Sequence, residues 1–159
     1  MSVPKYRGLS LLVLALVVTL DQLTKHLIRT NLALGGSIPD DGFFQLVHAQ
    51  NTGAAFGLFD DATPFLIATS TIALIFVVWL AFAHRVTFLE GIWGRLALGL
   101  AAGGTLGNLI DRVYYGYVTD FLKAGPWPAF NIADASVVTG MTLLAFLYLR
   151  SEHVLSEKV

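Results

Sequence analysis

The sequence contains no cysteine among its 159 residues, which excludes disulfides, thiolate metal sites and a cysteine nucleophile together. Charge is scarce as well: 13% of residues are Asp, Glu, Lys or Arg, and they sum to −1. The basic residues stand singly rather than in runs, so nothing favours a nucleic-acid partner, and none is expected. Four histidines, His26, His48, His84 and His153, fall in different segments and form no HExxH pattern. We therefore expect neither a metal nor another cofactor. No serine lies in a nucleophile-elbow setting, and Ser136, beside Asp134 on the last apolar segment, suits helix packing. Solenoid-type repeats and low-complexity segments are also missing.

What is there is apolar. Hydrophobic residues make up 55% of the chain and its mean hydropathy is +0.68, values of a polytopic membrane protein rather than a soluble domain. A helix crossing a hydrocarbon core of about 30 Å needs roughly 20 residues. Four segments qualify, at residues 9–28, 64–83, 96–113 and 133–149, the first and third carrying polar residues toward their second ends. The basic start followed by an apolar run resembles a signal peptide, but no small-residue cleavage site follows Leu20, so we expect a retained first span. The chain reads as one domain, 1–159.

Orientation follows from the basic residues, which gather on the cytoplasmic side of membrane proteins. Lys5, Arg7, Arg85, Arg95, Arg150 and Lys158 all fall on one side of the four spans. Asp40, Asp41, Asp60 and Asp61 fall on the other, with Asp21, Asp111 and Asp134 at the span ends there. Both termini are thus expected in the cytoplasm, with the polar motifs at the outer boundary. Residues 31–63 are too long for a plain turn, and GFFQLVHAQNTGAAFGLF partly alternates, which suits a short sheet or an interfacial element. The expected fold is an all-α membrane protein of four transmembrane helices, with a small outer-face β or interfacial element between helices 1 and 2.

Acids in such a chain need a reason. In YVTDFLKAGPWPAFNIAD, Asp120 and Asp134 stand at the two ends of a turn containing Gly125, Pro126 and Pro128, a plausible hairpin-like return. Ionised carboxylates beside hydrocarbon are costly and by default mark function. Two brought together share a proton, leaving one general base and one general acid, the pair that amide hydrolysis by an activated water requires.

Other polar residues carry two readings each. Asp21 and Lys25 are four apart on one helix face, acid first, which fits a structural ion pair with Lys25 and Arg29 snorkelling to the boundary; the alternative is a part in the chemistry. Asn51, with Gly53 in QNTGAAFG, marks either a turn or a polar group among small residues. Gly103, Gly104 and Gly107 form a small-residue face for close packing. Asn108, Asp111 and Arg112 follow at helical spacing. Arg112 either pairs locally with Asp111 or another acid, or presents its donors to a carboxylate or a substrate carbonyl. Asn131 either caps the fourth helix or orients a carboxylate. An ion-conducting bundle would continue such polar residues to the cytoplasmic side, where these spans are apolar. A purely structural subunit would explain the glycines but not the two acids.

Five stretches in order, DQLTK, NTGAAF, GNLIDR, VTDF and FNIADA, closely resemble the lipoprotein signal peptidases (signal peptidase II), and the resemblance covers the chain from the first apolar segment to the fourth. It implies a four-helix aspartyl endopeptidase of the bacterial inner membrane, working without a cofactor. Asp120 and Asp134 would be its catalytic pair. Asn51, Gly53, Asn108, Arg112 and Asn131 would shape the site and bind substrate, with Asp21, Lys25 and Asp111 as structural polar residues. The implied substrate is a prolipoprotein whose cysteine already carries a diacylglyceryl group, cut just before that cysteine. We expect a monomer in contact with membrane lipids, with 31–63 as an outer-face clamp over the substrate.

Overall fold

The computed structural model describes residues 6–53, 62–82 and 86–156. Four long helices carry the chain: α1 (Arg7–Asn31), α2 (Thr63–Phe82), α3 (Ile92–Tyr115) and α4 (Ile132–Ser156). A short 3-10 turn, Thr87–Leu89, leads into α3. Between the helices lie β1 (Ser37–Ile38), β2 (Phe44–Asn51) and β3 (Val118–Ala124).

Polarity in the bundle is reversed from that of a soluble protein. Leu12, Leu16, Leu20, Leu23 and Leu27 of α1 point outward, as do Ile72, Ile75 and Trp79 of α2. Buried within are Asp21, Lys25, Asp111, Thr119 and Asn131, each with no exposed surface. Water would solvate the first set poorly and the second well; lipid outside and a hydrogen-bonded polar interior suit both.

Among the described residues, three helical stretches are long and apolar enough to cross a membrane: Gly8–Asn31, Thr63–Ala81 and Ile132–Ser151. Helix α3 is not among them, although its 24 residues match their length. The physical reason lies in its position. It packs against α1, α2 and α4, so its surface is given to neighbours rather than to lipid. Its buried residues are mostly Gly and Ala, with Arg95, Asn108 and Asp111 among them. A central helix of this kind has little need of large apolar side chains.

Small residues on α3 serve two partners rather than one face. A Cβ on Gly103 would meet the Val17 side chain of α1 at 2.8 Å, whereas one on Gly104 would collide with the Ala133 carbonyl and lie 2.8 Å from Val137 Cγ2. The backbone at Ala133 cannot yield without moving the start of α4, so close packing at Gly104 sets where α4 begins. Helix α3 ends at Gly116, whose φ of +78° and N–H bond to the Arg112 carbonyl make a left-handed stop.

The sheet corrects one expectation. Its order is β1-β2-β3, antiparallel throughout, so it is not confined to the connection between α1 and α2. Its third strand comes from between α3 and α4 and contains Asp120, so this acid stands within a strand rather than at the end of a turn. Asp120 lies opposite Ala49 and Val118 opposite Asn51, with an irregularity in β2 between Leu46 and Ala49. The chain then turns back through Gly125, at φ +54°, and Phe130 bonds to Leu122 in both directions, at 2.8 and 2.9 Å. The hairpin-like return is real, and it delivers Asn131 to the side of Asp120. Of the 31–63 connection, residues 54–61 lie outside the described residues, including the latter part of NTGAAF.

Candidate active site

Strand pairing places the first acid. Because Asp120 faces Ala49, the residue two further along β2, Asn51, shares its side of the sheet as a diagonal neighbour. Asn51 Nδ2 donates to Asp120 Oδ2 at 3.0 Å, while Asn51 Oδ1 accepts the Gly53 N–H at 3.0 Å and so fixes which way the amide points. Asn51 is thus both the end of a strand and the start of an Asx turn.

Helix capping places the second. Asn131 precedes the first turn of α4, and its Oδ1 accepts the Asp134 N–H at 2.8 Å; in return Asp134 Oδ2 accepts the Asn131 N–H at 3.2 Å. This reciprocal arrangement is a capping box with a carboxylate in the first turn, where the helix dipole favours negative charge. The remaining amide nitrogen, Nδ2, donates to Asp120 Oδ1 at 2.7 Å. One side chain with no exposed surface therefore holds the carboxylate of Asp120 and the backbone N–H of Asp134.

Asp134 has a further donor. Asn108 Nδ2 of α3 donates to its Oδ1 at 2.7 Å, so each oxygen of both carboxylates receives an N–H. Such bonds favour the ionised form, but Asp120 is 3% exposed. Burial, reinforced by the neighbouring Asp134 carboxylate, outweighs the amides of Asn51 and Asn131 and pushes Asp120 up to about 7.

Arg112 sits beside this pair rather than where local pairing would have put it. Asp111 turns the other way: its Oδ2 accepts the Thr119 N–H at 2.9 Å and faces Lys25 Nζ at 3.4 Å. Arg112 Nη2 instead donates to the Gly53 carbonyl at 3.1 Å. The negative charges that act on it are those of Asp134, Asp120 and Asp111, and its buried Nε has no protein partner among the described residues. Gly53 thus contributes a backbone carbonyl to the site.

The ion pair Asp21–Lys25 is present, at 2.8 Å, but Lys25 does not snorkel. Its side chain has no exposure and its ammonium also donates to Asn108 Oδ1 at 2.8 Å. Asp21 Oδ1 reaches the other way, to the Ala133 N–H at 2.9 Å, tying α1 to the start of α4. Gln22 and Thr119, which the sequence does not single out, join this network, and Arg29, expected to snorkel, joins it too. Gln22 donates to Asp21, Asp111 and the Gly107 carbonyl. Arg29 donates to Thr119 Oγ1 at 2.9 Å and lies over the Tyr115 ring, 4.4 Å from its centre. Thr119 is the third, bonded through both its backbone and its hydroxyl. Arg29 stands one helical turn beyond Lys25, on the same face as Asp21, which places it in the network; Thr119 carries no such signal in the sequence.

Asp120, Asp134, Asn51, Asn108 and Arg112 all line one cavity of about 1370 Å³. Ser70, Thr105 and Val138 of the helices also line it, as do Trp127 and Pro128 of the turn after β3. A cavity lined by two acids, by other polar side chains and by apolar ones such as Ala73, Val137 and Val138 can hold a chain segment bearing both a peptide bond and a hydrophobic group.

The comparisons agree with this chemistry. The sequence profile of the family described as signal peptidase (SPase) II matches residues 13–150. A lipoprotein signal peptidase of Dehalococcoides mccartyi is 49% identical over 135 residues, covering 84% of each chain. Another, from Syntrophotalea carbinolica, is 42% identical over 142 residues, 84% of this chain and 86% of that one. The fold superposes on a bacterial membrane enzyme solved by the in meso method with a TM-score of 0.83 and 34% identity, over 91% of this chain and 90% of that one. With a profile match that runs from α1 into α4 and relatives alike over most of their length, the chain belongs to the signal peptidase II family.

Proposed function

We propose that the chain is an aspartyl endopeptidase that cuts diacylglyceryl-modified prolipoproteins just before the lipidated cysteine, with Asp134 as the base and Asp120 as the acid. The observation that carries this reading is Asn131, which bonds to both carboxylates of the cavity, to Asp120 Oδ1 through its side-chain amide and to Asp134 Oδ2 through its backbone N–H. The division of roles rests on their surroundings. Asp134 lies in the first turn of α4 with two N–H donors, a setting for negative charge. Asp120, held up to about 7, is the one of the two that still binds a proton in a large share of the molecules near neutral pH.

The proton movements follow. Asp134 takes a proton from water as its oxygen attacks the scissile carbonyl carbon, and Asp120 gives its proton to the carbonyl oxygen. As the C–N bond of the tetrahedral intermediate breaks, Asp134 passes its proton to the leaving amine. The intermediate's hydroxyl proton returns to Asp120, and the pair is restored with one proton between them. Asn51, Asn131 and Asn108 hold the carboxylates, and Arg112, through Gly53, steadies the edge of the cavity and faces a substrate carbonyl.

The same proposal includes α3 as a fourth crossing, since at 1.5 Å per residue it extends about 36 Å and packs along α1, α2 and α4. In this reading the whole chain, 1–159, is one domain in the bacterial inner membrane. Both termini are cytoplasmic, the active site lies near the outer face, and 31–63 clamps a substrate whose acyl chains stay in the lipid. The chain works as a monomer.

Purified protein in lipid nanodiscs is expected to cleave a precursor peptide bearing diacylglyceryl-cysteine and to leave the unlipidated peptide intact, as read by product mass. Equal cleavage of both, or of neither, overturns the substrate assignment. Topology has its own check, made simple by the absence of cysteine. In intact cells with a permeable outer layer, Asp41→Cys is expected to react with an impermeant thiol reagent and Glu90→Cys to stay protected; the opposite labelling inverts the orientation.

A further inference from the structure

A hydrogen-bond relay leads from outside the cavity to the proposed base. Lys25 Nζ donates to Asn108 Oδ1 at 2.8 Å, and Asn108 Nδ2 donates to Asp134 Oδ1 at 2.7 Å. An ammonium has donors and no acceptor, so the amide atom facing it has to be the oxygen. The nitrogen is then forced toward Asp134. Without the ammonium, nothing in this contact prevents the amide from turning over, and an oxygen facing Asp134 Oδ1 would hold a protonated acid instead of a carboxylate.

We infer that Lys25 is a positioning residue for peptide-bond hydrolysis: by fixing the orientation of the Asn108 amide, it keeps Asp134 in the ionised form that accepts the proton of the attacking water. This inference rests on the proposed function of the site and goes beyond the structural role that an ion pair with Asp21 would give it. Lys25 does not line the cavity. It acts through Asn108, and its own charge is balanced by Asp21 Oδ2 at 2.8 Å and Asp111 Oδ2 at 3.4 Å. Those two acids hold the ammonium in place. A second path runs from Asp111 Oδ2 to the Thr119 N–H, beside Asp120, so the same cation also steadies the strand bearing the acid.

The test is the pH dependence of kcat on the lipidated peptide, normalised to its maximum so that a smaller folded fraction does not alter its shape. The charged groups around the relay are Asp21 and Arg29 on α1, Asp111 and Arg112 on α3, Asp120 on β3 and Asp134 on α4. Lys25→Met is expected to lower kcat at least tenfold with little change in KM. Its acid limb, where the pair takes up a second proton, moves to higher pH by about one unit or more. The alkaline limb, set by Asp120, moves less. Should Lys25→Met not accumulate, Asp21→Asn with Lys25→Met removes one charge of each sign and is compared with Asp21→Asn alone.

Asn108→Leu is expected to shift the acid limb in the same direction, and the Lys25→Met shift added to it is less than the sum, because both act on one contact. An unshifted profile in the Lys25 variants, or limbs that move together by equal amounts, overturns the inference in favour of a structural or through-space role. Additive shifts do the same. If the wild-type chain fails to cleave the lipidated peptide, it is the proposed function that falls, a result distinct from all of these.

Discussion

Asp120→Asn and Asp134→Asn are each expected to lower kcat by about 10²- to 10⁴-fold, and the double variant to be no slower than the slower single one. The two acids pass one proton inventory between them, so removing either disables the other and the effects do not add. Cleavage of the lipidated peptide, measured per mole of folded protein, reads the result. Near-normal turnover in either variant would sink the assignment of the pair. The variants are expected to part company in stability. Asp120 titrates at about 7 in the fold against an ordinary value of 3.8, so the folded state holds its proton more tightly than the unfolded chain does. Its contribution is fully present below about pH 4 and is lost as pH rises through about 7, by up to about 4 kcal/mol.

Wild-type stability in detergent is therefore expected to fall across that window more steeply than that of Asp120→Asn, which has no carboxyl there to titrate. In Asp134→Asn the slope should persist at lower pH, because the Asp134 charge is one of the causes of the shift. Parallel slopes in all three proteins would show that Asp120 does not hold the proton. Activity should follow the same group, declining above about pH 7 as Asp120 loses its proton.

Asn131 is expected to give the second-largest loss, and the choice of substitution separates its two tasks. Asn131→Ala removes the cap of α4, at about 1 kcal/mol, and strips Asp120 Oδ1 of its 2.7 Å donor. Turnover is expected to drop about 100-fold, since a misplacement of about 1 Å at reacting groups costs that much. Asn131→Ser retains a side-chain oxygen for the Asp134 N–H but is too short to reach Asp120. It is expected to recover most of the thermal stability and little of the activity. A serine variant with near-normal kcat would mean that capping is the whole contribution of Asn131 and that its bond to Asp120 is incidental.

A buried polar network fills one part of the bundle, apart from the apolar cluster around Val77, Leu89 and Leu98. The interior between α1, α3 and α4 is occupied by Asp21, Lys25, Asn108 and Asp111, each with specified partners. Breaking such a buried pair leaves a charge without compensation, whereas the intact network offsets its desolvation with paired charges and hydrogen bonds and admits one arrangement. For an enzyme whose reactive groups must be held beside lipid, that single arrangement is the gain.

The amino-acid sequence alone determined that these acids required an explanation: so few charges in so apolar a chain, recurring at helical spacing and at the ends of a Pro- and Gly-containing turn, restrict their roles before any coordinates. It also determined the family, because five short motifs kept their order along the whole chain. Tertiary structure alone decided which way each side chain faces. Asp111 turns from its neighbour Arg112 toward Lys25, Lys25 turns inward, and Asp120 lies on a strand whose partner, β2, is some seventy residues earlier. Local spacing says which residues share a helix face; it cannot say which other element covers that face. Strand pairing and burial are non-local, and here they choose the partner of every charge in the site.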